Sequence, residues 1–335
     1  MIIRQKIPIG NDYPYMYARV SARRAKLLER QDYEDMIKMQ TNEIANRLEE
    51  GDYSEEIEEL GASYSGAELI ELAVNRNLAK TMAKLIEISP ESLKRVLKAY
   101  LRRYDIETLK RILRWKLNGS EEDIGSLMMP VNSYTFEEIE EMLEKNYDEL
   151  VDGISFRDSE IDYRKYLEEA EGPKEIEAAL DRAYHEELRL LSKEVGSRQF
   201  SRFVRKETEN ENLRKILRLR KGGASEEQIR KRISEKTTKL VGKALEAQDY
   251  NETVEIVVGA GKTDQKDTLG EIEQSMKVKR LQKSLKMLHT EPLGITSILG
   301  YMVAKMIEAE NLKVLAQARA SGVEGDEIID NLVIA

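Results

Sequence analysis

Leu93, Val96, Leu97, Tyr100 and Leu101 recur every three or four positions, which lays them along one stripe of an amphipathic helix. The same period runs on through "DIETLKRILRWKLNG" around Leu109. It returns in "ENENLRKILRLRKGG" around Leu213 and in "EAENLKVLAQARASG" around Leu312. Counted from each of these leucines, position -4 is acidic (Asp105, Glu209, Glu308) and position -1 is Thr108, Asn212 or Asn311. Position +1 is basic (Lys110, Arg214, Lys313), positions +3 and +4 are apolar, and position +10 is glycine (Gly119, Gly223, Gly322). The pattern predicts three equivalent helices. The acid is expected near each helix start, where the N-terminal partial positive charge favours it. The basic residue flanks the stripe and can snorkel. The glycine supplies the left-handed residue that commonly ends a helix.

Helix restarts are also written in the sequence. "SEED" at Ser120 and "SEEQ" at Ser225 are capping boxes, and the third copy, "GVEGDEI", lacks the serine. "YTFEEI" offers Thr135 as a cap with Glu138 three residues on, and "SPES" offers Ser89 as a cap followed by proline. "VEIVVG" (Val254–Gly259) and "MIIRQKIPI" carry the only strand signals. A second phrase repeats in step with the first: "LERQDYEDMI" from Leu28, "LEKNYDELVDGI" from Leu143 and "LEAQDYNETV" from Leu245. Two phrases in the same order, with 104 and 99 residues between successive copies of the long-helix leucine, argue for internal triplication. The expected fold class is all-α, with three similar helical domains at 15–128, 129–232 and 233–335 behind a lead-in segment at 1–14. Such units exceed the roughly 33–47 residues of tetratricopeptide, ankyrin or HEAT repeats, and each is long enough to own a core. No Pro/Gly/Ser-rich linker separates them, so they should pack together.

Composition narrows the function. Charged residues make up 35% of the chain, against roughly 25% in an average domain. The formal net charge is -9. That argues against nucleic acid, whose phosphates select basic surfaces, and against anionic lipid for the same reason. There is no cysteine, which excludes disulfides, thiol catalysis and thiolate metal sites. The two histidines, His185 and His289, lie far apart, and no catalytic residue, cofactor or metal set stands out. The start, "MIIRQKIPIGNDYP", lacks the apolar core of a signal peptide. The sparsely charged stretch from Pro292 to Ile307 is too short and too polar for a bilayer, which takes about 20 apolar residues.

The opening "YPYMYARVSARRAKLL", the tripled (D/E)xx(T/N)L(K/R) helix and the closing "EPLGITSILGYMVAKMIEAENLKVLAQARASGV" resemble the C subunit of archaeal and bacterial V-type (A-type) ATP synthases, a relative of the eukaryotic vacuolar d subunit. The resemblance implies a pseudo-threefold, funnel-shaped helical body and a non-catalytic central-stalk subunit without cofactors. It implies seating on the membrane proteolipid ring at the cytoplasmic face of the cell membrane. It also implies receipt of the central shaft formed by subunits D and F, with the stator membrane subunit as a further candidate partner. Torque would pass between ion translocation and ATP chemistry. The rival reading is a soluble helical scaffold that binds peptides along an open concave face.

Six cations are candidates for partner binding. Arg19, Arg23 and Lys26 share a helix face by the i, i+3/i+4 rule. Lys110, Arg214 and Lys313 are the repeated bases. Either set could instead tie the chain to itself. "GAGKTD" (Gly259–Asp264) imitates the end of a phosphate-binding loop. A true loop needs a glycine where this chain has Ile256, so the segment is expected to be a solvent-exposed turn that binds no nucleotide. His185 is expected on a helix in a surface or interhelix role, His289 near a helix C-terminus, and Trp115 in packing between units.

Overall fold

The computed structural model describes residues 13–119, 130–170, 172–234, 238–264, 268–290 and 294–334. Every regular element among them is a helix, as the periodicity predicts. In chain order these are α1 (Tyr13–Arg24), α2 (Arg30–Met36), α3 (Thr41–Glu49), α4 (Ser54–Leu60), α5 (Gly66–Glu87), α6 (Glu91–Asn118), α7 (Phe136–Glu144), α8 (Tyr147–Gly153) and α9 (Arg164–Leu167). They continue with α10 (Pro173–Val195), α11 (Arg198–Lys221), α12 (Glu226–Arg230), α13 (Lys239–Glu246), α14 (Tyr250–Gly259), α15 (Leu269–Thr290), α16 (Ile295–Ala320) and α17 (Gly325–Asn331). Contacts divide the chain into two compact units: unit one around Pro90–Ser275, and unit two from Gly10–Ser89 with Met276–Ala335.

Unit two is built on α16. Every residue from Ile295 to Ala309 is buried, so the sparsely charged stretch read from the sequence is a core helix, apolar nearly all round because it is enclosed. Among the described residues, no helix is long and apolar enough to cross a membrane. α5 packs along α16, and α1, α3 and α17 also contact it. Gly300 marks the tightest approach: a Cβ there would lie 2.6 Å from the Ser284 carbonyl oxygen of α15. In unit one, α6 packs on α10 and α8, while α11 packs on α10, α12, α13 and α14.

The long repeated helices end as predicted. Gly119, Gly223 and Gly322 have φ of 60°, 76° and 75°. In the last two copies the amide two residues before α12 or α17 closes a six-to-one turn, Ala224 N–H to Leu219 O and Val323 N–H to Ala318 O. The capping boxes at Thr135–Glu138 and Ser225–Gln228 form, whereas the one at Ser120 lies outside the described residues. The tyrosine-bearing phrase is a joint between helices. It lies where α1 gives way to α2, α7 to α8 and α13 to α14, and the second helix opens on Glu29, Asn146 or Asp249 as cap.

Two local expectations are corrected. "VEIVVG" belongs to α14, because Asp249 accepts the Glu252 N–H at 2.8 Å and Thr253, Val254 and Val257 bury one helical face. Cap and packing override the β-branched preference. Ser89 does not cap α6: its hydroxyl donates to the Leu85 carbonyl at 2.6 Å, and Pro90 occupies the cap position. "MIIRQKIPI" lies outside the described residues.

Candidate functional site

The three acids of the repeat are not at helix starts. Asp105, Glu209 and Glu308 sit far inside α6, α11 and α16 and are buried. A buried carboxylate needs partners to offset lost hydration, and each acid collects them differently. Glu308 accepts from the Leu28 amide at 2.7 Å, the Tyr53 hydroxyl at 2.6 Å and Lys305 Nζ at 2.8 Å. Lys305 is 1% exposed and also lies 3.4 Å from Asp52 and 4.3 Å from the Tyr53 ring centroid. Burial and the Glu308 charge push the Tyr53 hydroxyl well above its ordinary pKa. Glu209 binds Lys206 at 2.9 Å and Lys262 at 2.7 Å. Burial alone would raise its pKa, but bonds from Lys262, Lys206 and Thr238 outweigh burial and hold it at about 2. Asp105 has neutral donors, the Ser133 amide at 3.1 Å and Asn132 Nδ2 at 2.8 Å. Burial raises its pKa despite those bonds.

The asparagines at position -1 act as backbone clamps. Asn212 Oδ1 accepts the Ser234 amide at 3.1 Å. Asn311 Oδ1 accepts the Val333 amide at 2.8 Å, and its Nδ2 donates to the Val333 carbonyl at 2.9 Å. Both reach 22 residues ahead, so the two copies fold their following segment back in the same way.

The repeated bases diverge. Lys110 pairs with Asp181, which also binds Lys215 at 2.6 Å, so one carboxylate of α10 holds cations from α6 and α11. Burial alone would raise the Asp181 pKa, but the two ammonium groups hold it well below the usual carboxylate range. Arg214 reaches Glu211 at 3.7 Å on its own helix, and Lys313 donates to Asn75 at 3.1 Å. The α1 cations also differ from one another. Arg19 is exposed with its guanidinium 5.9 Å from the Tyr15 ring, and Lys26 pairs with Asp52 at 3.0 Å. Arg23 lines a cleft of about 1000 Å³ with Lys26, Asp52, Glu56, Lys80 and Tyr301.

The phosphate-loop imitation is a helix ending that is tied down. Gly261 takes φ 66° after α14, Lys262 is committed to Glu209 and to Asn210 at 2.7 Å, and Thr263 is fully buried. Gly259, Ala260, Gly261 and Asp264 are exposed, as expected of a turn, while Thr263 is buried and the lysine is engaged. His185 is buried, with Nδ1 3.2 Å from the Thr208 hydroxyl. Burial, reinforced by Lys215, lowers its pKa to about 4, so it is neutral near pH 7. The His289 side chain lies outside the described residues. Trp115 is half-buried beside Lys116 Nζ, 5.3 Å from its ring centroid. Among the described residues no cluster of His, Asp or Glu could hold a metal ion.

The geometry is thus a set of buried ion pairs that pin helices. A sequence model of the ATP synthase (C/AC39) subunit family matches residues 16–331. The chain belongs to this family. Among its relatives is the C subunit of the A-type ATP synthase of Methanococcoides burtonii, 32% identical over 97% of this chain and 95% of that protein. Proteins of the same description from Methanosarcina barkeri and Haloferax volcanii are 30% and 28% identical, over 97% of this chain and 93% and 98% of theirs.

Within this family member, sequence reasoning missed three groups: Lys305, Asp181, and the Arg102 cluster. Arg102 is 1% exposed, binds Glu187 at 2.9 Å and Asp158 at 3.0 Å, and stacks 4.7 Å from the Phe156 ring centroid. Tyr163 adds a hydroxyl to Glu187 at 2.8 Å. Lys305 was findable, as the single charge between Ile295 and Ile307.

Proposed function

We propose that this chain is a non-catalytic subunit of the central stalk of an A-type ATP synthase. It sits peripherally at the cytoplasmic face of the membrane on the proteolipid ring, receives the shaft of subunits D and F, and passes torque between ion flow and ATP chemistry. The observation that carries the reading is the family match along nearly the whole chain. The buried ion pairs support it physically. An ion crossing 100 mV releases about 2.3 kcal/mol per charge, and an element that passes on this work must not slip. Charges buried against each other from distant segments resist slippage, because displacing one strands the other in a low-dielectric interior. The engaged Lys262 supports the view that this chain does not bind nucleotide directly.

The repeat belongs to the same proposal. Cutting ahead of each long helix gives three modules, led by α6, α11 and α16. The last is completed by α1 to α5 from the other end of the chain. The packing of α16 on α5 and of α6 on α10, together with the matching Asn212 and Asn311 clamps, supports this phase.

The test is binding of the purified chain to a D–F shaft and to detergent-solubilised ring. Micromolar or tighter association with both is expected. Association with neither refutes the stalk assignment.

A further inference from the structure

The net charge argues against anionic surfaces, but the charge is spread unevenly. From Arg214 to Lys243 the chain carries eleven Lys and Arg against three Asp and Glu, within totals of 54 and 63. Five of these cations lie on α11, and Arg230, Lys239 and Lys243 lie on α12 and α13, which pack on each other and on α11. Ile229, Ile233, Val241, Ala244 and Leu245 are buried there. Lys221, Arg230, Lys231, Lys239 and Lys243 are exposed, and Arg232 is half-buried.

Some of the block's charge is engaged within the unit. Lys215 binds Asp181, Arg218 binds Glu273, and Arg220 donates to the Leu245 carbonyl. The outer cations are not held in this way. Among the described residues, Arg230 and Lys231 pair only with Glu226 and Glu227, four residues earlier in α12, an arrangement that holds weakly in water. Arg232, Lys239 and Lys243 make no ion pair among the described residues. Arg182 of α10 donates to the Lys231 carbonyl at 2.5 Å and brings a further guanidinium to the rim.

We propose that this face of unit one binds anionic phospholipid headgroups, by charge and without insertion. Here the cations come from the end of α11, α12, the segment after it and α13, elements that contact one another and bury their apolar side, and clustered Lys and Arg are what an anionic leaflet attracts. An acidic protein surface fits less well. Protein interfaces centre on aromatic and other large anchors and are depleted in lysine. The large apolar side chains exposed among the described residues are Tyr15, Leu117, Phe136 and Val314, none of them in this block. Negative charge elsewhere does not cancel the patch, because exposed charges more than about 8 Å apart are largely screened at physiological salt. The inference goes beyond the stalk assignment and does not depend on it.

The test is co-flotation of the intact chain with vesicles of phosphatidylcholine alone or mixed with phosphatidylglycerol. Binding to the mixed vesicles only, weakening with added salt, is expected. The triple variant Arg232→Gln, Lys239→Gln, Lys243→Gln should bind on the order of a hundredfold more weakly. Its helical circular dichroism should be unchanged, because Lys239 and Lys243 are exposed and Arg232 is half-buried without an ion pair among the described residues. A control that removes the same charge from exposed positions outside the block, Lys38→Gln, Lys165→Gln, Lys174→Gln, should bind like the parent. Equal binding to both vesicle types, an unaffected triple variant, or an equal loss in the control would each overturn the proposal. So would tighter binding to a polyglutamate peptide than to the anionic vesicles.

Discussion

Replacing Lys305 with methionine isolates what holds the two ends of the chain in one unit. Methionine is unbranched and of similar length, so it can occupy the lysine's path through the core. The ammonium is lost, however, and with it the 2.8 Å bond to Glu308. Glu308 is 4% exposed, and would keep only two neutral donors, the Leu28 amide and the Tyr53 hydroxyl. Stranding one member of a buried pair costs about 3–5 kcal/mol. Exposed pairs are worth about 1 kcal/mol or less, so burial decides the size of the effect. Against a domain stability of roughly 5–15 kcal/mol, the loss brings unit two near its threshold. The double variant Lys305→Met, Glu308→Gln removes both charges and should recover most of the loss. Fluorescence of Trp115, the only tryptophan, reports on α6 in unit one. The assay is therefore native-state hydrogen exchange read on peptides from 28–60 and 295–315. Protection in α16 within about 0.5 kcal/mol of the parent, where surface substitutions fall, would refute the reasoning. So would a double variant no better than the single one.

Three further outcomes follow from the same geometry. Glu209 has a folded-state pKa of about 2, below the roughly 4.3 of an unfolded glutamate. Its stabilisation is therefore full above pH ~4.3 and is lost as pH falls toward 2; the stability gap between parent and Glu209→Gln, measured by urea denaturation, should close across that window. Gly300→Ala should destabilise unit two by about 1–3 kcal/mol through overpacking, seen as reduced exchange protection in α15 and α16, because the added methyl meets the Ser284 carbonyl. Asp181→Asn leaves Lys110 and Lys215 without their shared carboxylate; about 2 kcal/mol of unit one's stability, between the exposed and buried limits, should vanish in urea unfolding followed by Trp115 fluorescence.

The periodicity revealed the helices, the glycine stops and two capping boxes because each depends on residues within one turn of each other. The role of the repeated acids was hidden for the opposite reason. Glu308 is explained by Leu28 and Tyr53, 280 and 255 residues away, and no local pattern reports such partners. Read locally, an acid four residues before a leucine is a helix-start residue; read in the fold, it is a buried anchor. The +1 bases show a further limit. Lys110, Arg214 and Lys313 repeat in sequence, yet they meet Asp181, Glu211 and Asn75 respectively. A repeated position can keep its charge after its partner has diverged, because the stem packs on the stripe whatever the head finds. "VEIVVG" misled because β-branched residues are neutral evidence until a cap and a buried face are counted together.

α5 finds its main partner in α16, more than two hundred residues later. Until α16 exists, α3, α4 and α5 pack mainly on one another, and Glu56 and Asn77 form a buried hydrogen bond between α4 and α5. In unit one, α6, α10 and α11 find their main partners within Pro90–Ser275. Contacts of large sequence separation carry the larger loop-closure cost and form late. The expected order is unit one first and unit two last, with α16 arriving as the core of a unit whose α1 to α5 precede it in the chain; pulse-labelled hydrogen exchange during refolding, showing α6 and α10 protected before α5, checks it. Placing a lysine in that helix is consistent with this order. Lys305 carries Glu308 with it on α16 and meets Asp52 and Tyr53 from a distant segment, so a misregistered α16 would bury the Lys305–Glu308 pair without Asp52 and Tyr53. The buried charge thus adds selectivity for register, which a purely apolar helix of the same length would lack.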